Sequence, residues 1–187
     1  MPHRETQPDT QSGDSFAAFY TTTVERTFLA ARRIAAGDRQ LAFDAVQDAY
    51  VVLLQQWPDR CRQPATTNHR YVVRIAAHKV IDRYRLQNRQ TPLDDDYDHP
   101  AGYEPVVDLI NELSLLRAVR ALIGCQPPRR RAVATLFFLE EAGYDEIAAA
   151  LGITESTVRT HVERMRNLLK PLIDRINQLD EGGVSHE

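Results

Sequence analysis

The sequence predicts an all-α fold: two small helical domains, about residues 15–90 and 108–176, joined by a flexible acidic linker over 91–107. Three observations predict it. Apolar residues recur with helical spacing along most of the chain, and no stretch alternates as a half-buried strand would. Glycine and proline gather in the gaps between the periodic stretches. Charge is segregated: the net charge is −3, yet Arg70 to Arg89 holds six Lys/Arg against Asp82 alone, and Thr91 to Glu112 holds seven acids and no Lys or Arg. Such asymmetry says more about partners than the sum does.

The elements follow in order. Helices are expected at about 15–35, 39–57, 69–89, 108–123, 128–140, 144–151 and 155–170. Residues 1–14 are polar and read as a disordered lead-in, not a signal peptide. Residues 91–107 contain three prolines, one glycine and a run of acids, too little apolar matter to fold alone. Residues 177–187 read as a polar, fraying tail. No window approaches 18 uncharged apolar residues, so a cytoplasmic protein with no membrane contact is expected. Cys61 and Cys125 stand far apart, with no CxxC and no histidine at ligand spacing. Two reduced thiols, no metal and no cofactor are the expectation.

In the helix expected over 39–57, Val46, Ala49, Tyr50, Leu53 and Trp57 form a core stripe. The opposite face carries Asp44, Gln47, Asp48, Val51 and Gln55. That is either a solvated surface or a protein-binding one, and the aliphatic Val51 among polar groups favours a partner. In the helix expected over 69–89, Val73, Ala76, Ala77, Val80 and Tyr84 face inward. Arg74, His78, Arg85 and Arg89 share another face, with Lys79 and Arg83 on its flank. Cations crowded this way repel one another without an anionic partner, and phosphates fit.

The most specific pattern is GYDEIAAALGITESTVRTHVERMR, residues 143–166. A helix with Ile147, Ala148 and Leu151 inward meets a turn, Gly152-Ile153-Thr154. Gly152 suits a left-handed helix-ending position, Thr154 suits an N-cap, and Glu155 suits the positive helix end. In the second helix Val158, Val162, Met165 and Leu169 form the inner stripe. Thr154, Glu155, Ser156, Thr157, Arg159, Thr160, Glu163 and Arg166 are the candidate DNA-contacting set, short hydrogen-bonding groups and arginines in a recognition helix's layout. Pro171 is expected to kink or end this helix.

Both halves resemble one family, the extracytoplasmic-function sigma factors of bacterial RNA polymerase. DAVQDAY at 44–50 resembles its region 2 polymerase-binding motif, YVVRIAAHKVIDRYR at 71–85 its promoter-melting and −10-reading helix, and residues 126–166 its region 4. The chain departs from the family's common pattern at Tyr71, His78 and Ser156. The resemblance implies a sigma factor that binds core polymerase and directs it to promoters. Asp44, Gln47, Asp48 and Val51 would meet the clamp helices of the largest subunit. Asn68, Arg74, His78, Lys79, Arg83 and Arg85 would serve the −10 region, with Asn68 in a base-capturing loop at about Asp59 to His69. Region 4 would read the −35 duplex and dock on the polymerase flap. An anti-sigma factor is a further candidate partner.

Two rival readings have features of their own. A helix-turn-helix regulator that never touches polymerase would leave 44–50 a bland solvated face. An enzyme would need a phosphate loop, a nucleophile elbow or a metal-ligand set, and the sequence offers none of these.

Overall fold

The computed structural model describes residues 10–87 and 112–182, with side chains over 15–87 and 117–174. Every described element is helical. The chain divides into two compact units, Met1–Arg83 and Tyr84–Glu187. The acidic stretch 91–107 lies outside the described residues, as do 1–9 and 183–187.

The N-terminal unit has α1 (Thr10–Ile34), α2 (Arg39–Arg60) and α3 (Ala65–Gln87) as far as Arg83. Helix α1 begins five residues before the sequence reading placed it, so Thr10 to Asp14 is helix and not lead-in. The α1–α2 turn puts Ala36 and Gly37 at positive φ, 54° and 89°. Asp38 then caps α2, its carboxylate accepting from the Leu41 N–H at 3.0 Å.

The two helices pack through small and aromatic residues. Ala30, Ala31, Ala42, Ala45 and Ala49 are buried and let the backbones approach. Phe16 and Phe19 each lie 5.3 Å from Trp57, and Tyr20 lies 4.9 Å from Tyr50. The Tyr50 hydroxyl joins Thr23 at 2.8 Å and Thr27 at 3.1 Å, while burial pushes its pKa up. All five residues of the α2 core stripe are buried, as are Val72, Val73, Ala76, Ala77, Val80 and Ile81 of α3.

The C-terminal unit has α4 (Glu112–Gly124), α5 (Pro128–Ala134), α6 (Tyr144–Leu151) and α7 (Glu155–Gly182). Arg130 and Arg131 are buried and secure the α4–α5 turn: Arg131 Nη1 donates to the Gln126 carbonyl at 2.8 Å, and Arg130 Nη1 to Gln126 Oε1 at 3.2 Å. Helix α5 does not run on to 140 as a plain α-helix. It widens into a π turn at Thr135–Leu139, closed by the Glu140 N–H on the Thr135 carbonyl at 3.2 Å. Ile123, Ala134, Met165 and Leu169 form a core with Val119, Leu122, Phe138 and Leu139 against it.

Helix α7 does not end at Pro171, as expected, but continues to Gly182. A proline inside a helix costs about 3 kcal/mol through its lost N–H and ring clash. Leu169 and Leu172 on either side are buried, and apolar burial of roughly 1.5–3 kcal/mol each offsets that loss.

Candidate nucleic-acid interface

In the α6–α7 corner, local rules dictate the geometry. Glu146 Oε2 accepts from the Gly143 N–H at 3.1 Å and closes the start of α6. Gly152 ends that helix at φ 61°, ψ 44°, a left-handed conformation that costs glycine little. Thr154 Oγ1 accepts from the Thr157 N–H at 3.2 Å and pairs with the Ser156 and Thr157 hydroxyls at 2.8 and 2.9 Å. Val158, Val162 and Met165 are fully buried. They fix which way the rest of α7 faces.

Seven of the eight candidate DNA-contacting residues here are exposed: Thr154, Glu155, Ser156, Arg159, Thr160, Glu163 and Arg166. Thr157 is half-buried, drawn in by the cap. The Thr160 hydroxyl returns to the Ser156 carbonyl at 3.0 Å. Arg159 pairs with Glu155 at 3.4 Å and lies over the Tyr144 ring, its Cζ 4.8 Å from the centroid. Arg166 Cζ lies 5.5 Å from the Phe137 ring centroid.

In the N-terminal unit, Asp44, Gln47, Asp48 and Val51 are all exposed on α2. Asp44 Oδ1 accepts from Gln40 Nε2 at 2.8 Å. Sequence reading missed two neighbours: Phe43 and Leu54 are 50% and 51% exposed, beside Val51 at 54%. Spacing could have found them, since residues 43, 47, 51 and 54 fall on one face of α2, off the buried stripe.

On α3, Arg83 is exposed and Arg74, His78, Lys79 and Arg85 are half-buried. The basic stripe is partly answered from within. His78 Nε2 meets Asp82 Oδ2 at 2.7 Å, and Lys79 Nζ meets Asp48 Oδ2 at 3.4 Å. The second contact joins a candidate DNA-binding residue to a candidate polymerase-binding one, a link no sequence pattern announces.

Asn68 is placed differently from expectation. The loop shrinks to residues 61–64, and Asn68 lies in the first turn of α3, 1% exposed. Its Nδ2 donates to the Arg60 carbonyl at 3.0 Å and its Oδ1 accepts from Arg60 Nε at 3.2 Å. Both ends of the amide are spent on the end of α2, so Asn68 is a clasp between helices and offers no free edge to a base. Above it, the Arg60 guanidinium covers the Tyr71 ring at 3.7 Å, and the Tyr71 hydroxyl donates to Gln56 Oε1 at 2.8 Å. Among the described residues, no group of three or more His, Cys, Asp or Glu could hold a metal ion.

Comparison with known families places the second unit. Residues 116–169 match the family described as Sigma-70, region 4. The chain is similar there to a sigma-70 region 4. It is also 29% identical over 149 residues to the ECF RNA polymerase sigma factor SigE of Mycolicibacterium smegmatis, covering 78% of this chain and 56% of that protein. The chain thus spans about half the length of the curated relative it matches. Both findings support an extracytoplasmic-function sigma factor, the group its motifs resemble.

The region 4 match takes in α4 from Leu116, then α5, α6 and α7 as far as Leu169, so the whole helix-turn-helix falls inside it. The polar set starts at a capped helix end, where backbone N–H groups and the helix dipole favour anions, and runs on along α7. Among the described residues, no helix is long and apolar enough to cross a membrane.

Proposed function

We propose that this protein binds core RNA polymerase and directs it to particular promoters, acting in the cytoplasm without catalysing a reaction itself. The observation that carries the reading is the region 4 helix-turn-helix: a capped helix whose inner stripe is fully buried and whose outer residues, from Thr154 to Arg166, are exposed. The outer set reads the −35 duplex, the arginines and hydroxyls meeting base edges and phosphates. Region 4 also docks on the polymerase flap. Arg74, His78, Lys79, Arg83 and Arg85 of α3 follow the backbone of the −10 segment, while Asn68 holds the start of that helix in place. The acidic stretch at 91–107 passes through the RNA exit path, where its carboxylates mimic RNA phosphates. An anti-sigma factor would act by covering the same faces.

The α2 face, with Asp44, Gln47, Asp48 and Val51, docks on the clamp helices of the largest polymerase subunit. Three exposed apolar side chains beside two acids support a protein partner there over a solvated surface. They also set this reading above a regulator that works without polymerase. The test is capture of purified core polymerase by the full chain beside the variant Asp44→Ala, Gln47→Ala, Asp48→Ala. The wild type is expected to retain polymerase and the folded triple variant to lose at least tenfold in affinity, about 1.4 kcal/mol. Failure of the folded wild type to bind core polymerase would leave the helix-turn-helix regulator as the better account.

A further inference from the structure

The two arginines of the candidate DNA-contacting set on α7 are not loose. Arg159 Cζ sits 4.8 Å from the centroid of Tyr144, and Arg166 Cζ 5.5 Å from that of Phe137. The rings touch each other, centroids 5.2 Å apart and planes inclined by 39°. Phe138 meets Phe137 edge-on at 5.0 Å and 83°. Both supporting rings are half-buried. Their positions come from different devices: Tyr144 is the first residue of α6, and Phe137 lies in the π turn after α5. Arg159 and Arg166 stand seven residues apart, two helical turns along one face.

We infer that Tyr144 and Phe137 form an aromatic ledge that holds Arg159 and Arg166 in a DNA-ready orientation, which makes both rings positioning residues for recognition. The inference rests on the reading of α7 as the DNA-contacting helix. An arginine side chain has several rotatable bonds, and ordering it at the moment of binding costs affinity. A guanidinium is planar, with all its N–H donors in the plane. Holding it over a ring by cation–π attraction spends no N–H donor on the ring, so the donors beyond the one Arg159 gives Glu155 remain for a base or a phosphate. Glu155, 3.4 Å from Arg159, restrains the same group. The ledge therefore orders the arginines before DNA arrives, with no donor spent on the rings.

The test uses the full chain and a 20-base-pair duplex that the wild type recovers from a randomised pool. A cation–π contact at an exposed site corresponds to roughly a two- to fivefold change in an equilibrium constant. Tyr144→Leu is expected to weaken binding by about that factor, and Tyr144→Phe, which keeps the ring, to bind as the wild type does. Arg159→Ala should cost less in the Tyr144→Leu background than alone. In the free protein, the NMR order parameter of Arg159 Nε–H should fall in Tyr144→Leu and recover in Tyr144→Phe. Should Tyr144→Leu fail to fold, Phe137→Met with Arg166 as reporter makes the same measurement. Equal affinity for Tyr144→Leu and Tyr144→Phe, or tighter binding by Tyr144→Leu, overturns the ledge while Arg159→Ala still weakens binding. Should Arg159→Ala and Arg166→Ala both leave binding unchanged, the reading of α7 falls and the ledge with it.

Discussion

Burial keeps the His69 imidazole neutral: the ring is 5% exposed, its Nε2 finds no hydrogen-bond partner, and its pKa drops from 6.5 to about 4, with Arg26 adding repulsion. In the unfolded chain the same ring takes its proton near 6.5. The unfolded state therefore binds more protons between the two values, and stability falls as pH is lowered from about 6.5 towards 4. At about 1.36 kcal/mol per pKa unit, the loss is on the order of 3 kcal/mol. Urea unfolding between pH 7 and 4 should show this loss in the wild type and a shallower one in His69→Gln. Parallel pH profiles for the two proteins would remove His69 as the cause. Neighbouring Asn68 teaches a related lesson about legibility. From sequence its amide is open to a base, because the chain around it reads as a loop. The Asn68 N–H bonds the Pro64 carbonyl at 3.1 Å, so α3 starts right after that proline. Pro64 alone reads equally well as a loop residue, and Thr66 and Thr67 are weak helix formers that blur the boundary.

At the scale of elements, what was legible is what local physics decides. Helix α6 has the predicted bounds because Gly143 and Gly152 bracket it and three apolar residues mark its inner face. The π turn after α5 was not legible, because one extra residue per turn leaves no periodic trace in so short a stretch. Pro171 misled for the opposite reason: its local penalty is real, and the packing that offsets it is tertiary. The Thr154 cap allows a direct check. The side chain is exposed, so its removal loses little burial. Thr154→Ala should cost the C-terminal unit about 1 kcal/mol of stability in urea unfolding, through the Thr157 N–H left without its acceptor. Thr154→Ser keeps the oxygen and should retain most of it. Equal losses in the two variants would trace the effect to the methyl group and not to the cap.

For the whole molecule, a net charge of −3 suggests weak attraction to DNA, yet the charge that counts is local. The cations of α3 and α7 lie on helical faces, while seven acids fall between Thr91 and Glu112. One of the α3 cations already has a carboxylate partner, Lys79 with Asp48, so fewer cations remain for phosphates than the sequence count implies. Each phosphate neutralised contributes about −0.9 to the slope of log affinity against log salt. Arg83 is exposed on α3, where a phosphate contact would be made. Fluorescence anisotropy of the full chain with duplex DNA, titrated across a salt series, should therefore give a steep negative slope. In Arg83→Gln the slope should become shallower by about one unit, with affinity lowered alike for unrelated duplexes. An unchanged slope would mean that Arg83 meets no phosphate. A loss confined to one duplex would make it a reader of bases, and the division of labour between α3 and α7 would have to be redrawn.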